Sequence, residues 1–177
     1  MELQSALENR KSIRSYLSKD VEPEKLTALI EAASLAPSWK NSQTARYYVI
    51  HTPEKLEQIR ATLPEFNRKN CEQAPALIRS GYERNGEPTN ELGNGWGFYD
   101  CGLGSMALLL KATELGLSTL VMGIRDAAKI SEILEIPENE AVVSVISVGY
   151  SDGTSGTQTR REIGTFLLNN FSKKGAQ

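Results

Sequence analysis

Two groups of basic residues lie near opposite ends of a chain of 177 residues. Such side chains could bind a phosphate, because guanidinium forks, an ammonium and a hydroxyl can share the oxygens of one dianion. If the fold brings the two groups together, a ligand with one phosphate is the expected occupant. Taken singly, each residue could instead be a surface charge at a helix end. The residues concerned are Arg10, Lys11, Ser12, Arg14, Arg160 and Arg161.

Side chains that usually carry acid–base or nucleophilic chemistry are sparse. The single histidine, His51, is expected to be a plain surface residue, and alone it supplies neither a hydrolytic triad nor a histidine-ligated zinc site. Cys71 and Cys101 form no Cys-x-x-Cys pair, so we expect reduced thiols without a disulfide framework or a bound metal. Gly102-Leu103-Gly104 lies inside an apolar helical run, which favours close helix packing over a dinucleotide loop.

The overall charge narrows the classes of partner. A formal net charge of -2 and a pI near 5.6 argue against a nucleic-acid-binding face, because such faces need many Lys and Arg contacts to phosphates. With 40% hydrophobic and 24% charged residues, we expect residues 1–177 to form a single domain. The sequence shows no signal-peptide pattern and no apolar run long enough to span a bilayer. We therefore predict a cytoplasmic protein that does not bind membranes.

Hydrophobic spacing predicts the elements that must position the basic groups. The long stretch 96–115 has almost no polar face in its middle, so we expect a subunit interface there. Residues 63–95 are the least readable, and Glu83 to Gly95 is expected to form a mobile or lid-like loop. Residues 172–177 are expected to fray. The predicted helices are 2–10, 23–36, 53–62, 96–115, 126–134 and 160–168, and the predicted strands are 46–51, 76–78, 119–122 and 141–148.

Several segments match motifs of one family in the right order. Arg10-Lys11-Ser12-Ile13-Arg14-Ser15-Tyr16 resembles the Arg-Arg-Ser-Ile-Arg-x-Phe/Tyr opening of the nitroreductase family of FMN-dependent oxidoreductases. The segment from Ala36 to Gln43 is similar to the family's Ala-Pro-Ser-x-x-Asn-x-Gln loop, and Glu114 to Thr119 resembles its helix-ending Gly-Leu-Gly-Thr segment. With the terminal arginines, the resemblance covers nearly the whole chain.

This resemblance implies a fold and a reaction. The fold class would be α+β, a nitroreductase-like three-layer α/β/α sandwich with a mainly antiparallel (mixed) central sheet in an interlocked homodimer. The reaction would pass hydride from NADH or NADPH through bound FMN to an electrophilic small molecule, such as a nitroaromatic or quinone, by a ping-pong mechanism. No side chain need act as a catalyst itself. Two alternatives stay open: a flavin-binding protein without turnover, or a family member with a specialised non-nitro substrate.

The resemblance also implies roles for particular residues. Arg10, Lys11 and Ser12 would contact the flavin phosphate and ribityl chain, and Arg14 would reach the pyrimidine end of the ring. Backbone N–H groups near the flavin N5 would come from Met122 and Gly123. The basic pair Arg160 and Arg161 would return to the phosphate. A loop of the partner subunit would complete the site with Pro37, Ser38, Trp39, Asn41 and Gln43.

The sequence departs from the family pattern at several positions. Gln43-Thr44-Ala45 replaces a frequent Gln-Pro-Trp, and Met122 replaces the glutamate that precedes the glycine in some larger members. Trp39 fills a position that is usually small or polar, where it could anchor an interface or line the pocket over the flavin. The aromatic residues at the start of the long helix could stack on a planar acceptor, although core packing is the simpler role: Trp96, Phe98 and Tyr99.

Overall fold

The computed structural model describes residues 1–84, 95–152 and 159–166. These residues form one four-stranded sheet in the order β1-β2-β4-β3, with every neighbouring pair antiparallel. Strands β1 and β3 are therefore the two edges. An isolated parallel bridge joins Ser12 to Thr119, which makes the pairing mixed. The strands are β1 (Ala45–Ile50), β2 (Ala76–Glu83), β3 (Ser118–Met122) and β4 (Glu140–Gly149).

The helices begin where the sequence provides suitable residues. Pro23 and Pro53 occupy the first turns of α2 and α3, where a missing N–H costs nothing. Asp126 caps α6, because its carboxylate accepts a hydrogen bond from the Lys129 N–H at 3.1 Å. Thr52, which precedes α3, makes no side-chain cap. The helices are α1 (Leu3–Asn9), α2 (Pro23–Ser34), α3 (Pro53–Arg60), α4 (Glu65–Asn70), α5 (Trp96–Glu114) and α6 (Ala127–Ile133).

The core has two parts, one on each face of the sheet. Successive side chains of a strand point to opposite faces, so Leu77 packs with α3 and α6 whereas Ile78 packs with α2 and α5. The predicted three-layer α+β sandwich is thereby confirmed. Cys71 and Cys101 are buried free thiols, as expected, and burial raises the pKa of Cys71 to about 11.

Helix α5 buries only one face within the chain. Its buried positions include Asp100, Gly104 and Leu108, which recur at helical spacing. Large apolar side chains remain exposed on the helix, so within the described residues it is not covered all round: Trp96, Phe98, Tyr99 and Met106. No helix in the described parts of the chain is long and apolar enough to cross a membrane.

Several predictions about elements need correction or fall outside the described residues. Strand β2 extends to Glu83 instead of ending at Ile78, and helix α4 was not predicted. Instead of the helix predicted from Arg160, the structure has only a 3-10 turn, Ile163–Thr165. Gly164 lies within this turn and disfavours an α-helix there. Most of the predicted lid-like loop, the helix residues 167–168 and the terminal tail lie outside the described residues.

Candidate functional site

The first basic group lies along the open edge of β3. Ser12 pairs with Thr119 in parallel register, and the Ile13 N–H donates to the Thr119 carbonyl at 2.9 Å. Farther along the segment, the Leu17 N–H donates to the Tyr150 carbonyl at 2.8 Å, just past the end of β4. The segment therefore meets the otherwise unpaired edge of β3 at a single bridge.

Two buried side chains anchor this segment and turn its polar residues outward. Ile13 and Tyr16 are only 6% and 3% exposed. The Tyr16 hydroxyl bonds the Ser147 hydroxyl at 2.7 Å and donates to the Ile13 carbonyl at 3.1 Å. Burial raises the pKa of Tyr16 and outweighs the hydrogen bond to Ser147, which lowers it. The phenol therefore stays neutral at physiological pH. Lys11 and Arg14 are exposed, which leaves their charges available to a ligand.

The turn after β3 follows the strand to which the basic segment bridges. Met122 is buried, whereas Gly123 is exposed. Among the described residues, no acceptor pairs with the N–H of Gly123 or Ile124. Their carbonyls are engaged, because Arg125 donates to the Gly123 carbonyl at 2.5 Å and Asn67 donates to the Ile124 carbonyl at 3.1 Å. The turn is therefore fixed on its carbonyl side and open on its N–H side.

The loop from Pro37 to Gln43 holds an unusual backbone conformation. Lys40, Asn41 and Gln43 have φ values of 49°, 58° and 51°, in the left-handed region that non-glycine residues seldom adopt. Such residues cost on the order of 1–3 kcal/mol each and concentrate at functional sites. The loop is held closed by the Ser38 hydroxyl, which accepts the Gln43 N–H at 2.9 Å.

Asp100 anchors this loop to α5. Its Oδ2 accepts the Trp39 N–H at 2.9 Å, and the residue is only 4% exposed. Trp39 itself is half-buried, with the Lys40 ammonium 4.6 Å from its ring centroid. The hydroxyls of Ser42 and Thr44 are buried without a partner in the described part of the chain. Sequence reasoning missed Asp100; its one signal was an acidic residue in the otherwise apolar first half of a helix.

The predicted cofactor residues do not all meet within one chain. Arg10 to Arg14 and Gly123 lie at the β3 edge, whereas the loop from Pro37 to Gln43 precedes β1 at the other edge. Three strand spacings separate these edges, which is about 14 Å. Arg160 and Arg161 are exposed just before the 3-10 turn, and their approach to the first basic group remains a prediction.

Comparison with known proteins identifies the family. The family model described as "Nitroreductase family" matches residues 7–80 and 61–150 of this chain. The chain is 29% identical over 164 residues to a protein of Methanothermobacter thermautotrophicus named "Putative NADH dehydrogenase/NAD(P)H nitroreductase", with 89% of this chain and 82% of that one covered. The chain belongs to the nitroreductase family.

Solved structures share the fold. A nitroreductase family protein from Streptococcus pneumoniae superimposes with a TM-score of 0.87 at 21% identity, covering 96% of this chain and 100% of that one. A structure from Exiguobacterium sibiricum, solved in complex with FMN, has a TM-score of 0.85 at 22% identity over 96% and 98% of the two chains. These likenesses establish the fold, in agreement with the predicted sandwich.

Proposed function

We propose that this protein is an FMN-dependent oxidoreductase that passes hydride from NADH or NADPH to an electrophilic small molecule such as a nitroaromatic or quinone. Family membership supports the class of reaction. The observation that carries the proposal is the β3 edge: the segment with the exposed cations bridges to β3, and the open backbone N–H groups lie in the turn that follows this strand. The first group suits a phosphate, and the second suits the polar edge of a flavin ring.

Gly123 provides a test of fit for FMN. Its φ lies outside the left-handed region, and an added Cβ would meet no atom within 4 Å. Nothing in the described chain therefore requires a glycine at this position. A ligand that approaches the backbone closely does require one, because a side chain would occupy the space. The residues present fit a planar group lying against this turn.

The chain's own residues would bind and orient the cofactor. Arg10, Lys11 and Ser12 would hold the phosphate together with Arg160 and Arg161, whose fork geometry matches phosphate oxygens. Arg14 would place a positive charge where negative charge develops during the reaction. Bound FMN would supply the hydride chemistry, so the protein contributes position, electrostatics and exclusion of water.

A homodimer would complete the site. The loop from Pro37 to Gln43 precedes β1, at the edge of the sheet opposite β3, but a second copy could present the same loop to the β3 edge. The partner's loop would then contribute Ser38, Asn41 and Gln43. The exposed apolar residues of α5 support such an association, since a face of this kind is usually covered.

Steady-state kinetics test the proposed reaction. Donor and acceptor would use the same open face of the flavin, so one product must leave before the second substrate binds. We expect parallel double-reciprocal lines when NADH or NADPH is varied at several concentrations of a quinone. Intersecting lines would contradict the shared site. Flavin uptake without reduction by either nicotinamide would support the alternative, a flavin-binding protein without turnover.

A further inference from the structure

Arg125 ties the turn after β3 to the neighbouring strand. Its Nη1 donates to the Gly123 carbonyl at 2.5 Å, and its Nη2 donates to the Val142 carbonyl on β4. The same guanidinium thus holds two segments that are separate in sequence. Together with Asn67, which donates to the Ile124 carbonyl at 3.1 Å, it fixes both carbonyls of the turn.

This arrangement determines where one backbone donor points. A trans peptide bond is planar, so the Gly123 carbonyl and the Ile124 N–H point in opposite directions. Because the carbonyl faces the Arg125 guanidinium, the Ile124 N–H must face away from it. That N–H has no acceptor among the described residues. The side chain of Arg125 therefore orients a free donor toward the space where the proposed flavin would lie.

Arg125 also brings a positive charge that no carboxylate balances among the described residues. Its Nε is buried and has no hydrogen-bond partner in the described chain. Burial lowers the pKa of Arg125, yet a guanidinium remains protonated at neutral pH. By contrast, Arg79 pairs with Glu140, and Arg60 lies near Glu57. An unbalanced, partly buried cation is costly for stability alone.

We infer that Arg125 is a positioning residue for the N5 end of the flavin, and that its charge raises the reduction potential of the bound flavin. This inference rests on the proposed function. A nearby cation stabilises the reduced flavin, which gains negative charge, relative to the oxidised form. The sequence offered no sign of this role, since an arginine in a turn usually faces solvent.

The test is a midpoint-potential titration of FMN bound to three variants. Arg125→Gln removes the charge. We expect it to weaken binding of reduced FMN at least tenfold more than binding of oxidised FMN. The midpoint potential would then fall by about 30 mV for a two-electron couple. Arg125→Lys keeps the charge but loses the two-carbonyl fork. It should keep the potential and bind FMN several-fold more weakly.

Arg60→Gln is the matched control, because Arg60 also donates to two backbone carbonyls, those of Cys71 and Ala74. It lies in the last turn of α3 and donates to neither the Gly123 nor the Ile124 carbonyl. We expect its potential to equal that of the wild type. An unchanged potential in Arg125→Gln, or an equal fall in the control, would overturn the inference while leaving FMN binding intact. Failure of the wild-type protein to bind FMN would instead overturn the proposed function and this inference together.

Discussion

Glu140→Ala should lower the free energy of unfolding by about 3–5 kcal/mol, because it leaves a buried guanidinium without its carboxylate. Arg79 is completely buried, and its Nη1 lies 3.0 Å from Glu140 Oε2. Its Nη2 donates to the Ala141 carbonyl at 3.0 Å, and the ring centroid of Tyr48 lies 4.8 Å from its guanidinium carbon. Water cannot readily replace the lost partner at this position.

A second ion pair on the same sheet provides the control. Arg46 and Glu83 join β1 to β2, but their side chains are 38% and 33% exposed. Glu83→Ala should therefore cost only about 0–1 kcal/mol. Urea unfolding of the flavin-free protein, at one fixed protein concentration, would measure the loss in free energy of unfolding for both variants. Equal losses would contradict the buried character of the Arg79 pair. Replacing Arg79 and Glu140 together with apolar residues should recover much of the loss.

Arg10→Ala and Arg161→Ala should each weaken FMN binding by about 1.5–3 kcal/mol, the range for a hydrogen bond to a charged group. The corresponding rise in the dissociation constant is about 10-fold to 150-fold. Riboflavin lacks the phosphate, so it should lose little affinity in the same variants. Fluorescence titration of the apoprotein with each flavin would separate the phosphate contribution from that of the ring.

Arg68→Ala is a control for the change in net charge. Arg68 lies exposed in the last turn of α4, outside the proposed site. It should leave both dissociation constants unchanged, because a surface charge that contacts no ligand is largely screened by salt. If Arg10→Ala or Arg161→Ala weakens FMN and riboflavin by the same factor, that residue does not contact the phosphate.

Elements with a continuous local pattern could be predicted from the sequence. Helix α2 follows from Pro23 and its spaced leucines, and β4 follows from an apolar β-branched run. The sequence predicts β2 only as far as Ile78, because residue types such as those of Arg79, Ser80 and Gly81 are not typical of a buried strand. Their partners come from distant segments: Glu140 pairs with Arg79, and the Ser144 hydroxyl lies 2.7 Å from that of Ser80. Local composition cannot show such long-range compensation.

The candidate site could be predicted only in part, because some of its contacts join segments that are distant in sequence. The basic residues around Ser12 belong to a recognisable motif, and Ser12 bridges to Thr119 on β3. Asp100 and Arg125 act on backbone groups of other segments, which no sequence motif records. The separation of the loop from Pro37 to Gln43 from the β3 edge depends on strand order. That order could be stated only once the sheet was known.

The visible absorption spectrum of the purified protein, followed by identification of the released flavin, tests FMN binding most directly. We predict two flavin bands and, after denaturation, release of FMN in equal molar amount to the chain. If the protein is isolated colourless, added FMN should restore the bands in the same ratio. A protein that remains colourless with excess FMN, or that releases a different flavin, would contradict the proposed cofactor site.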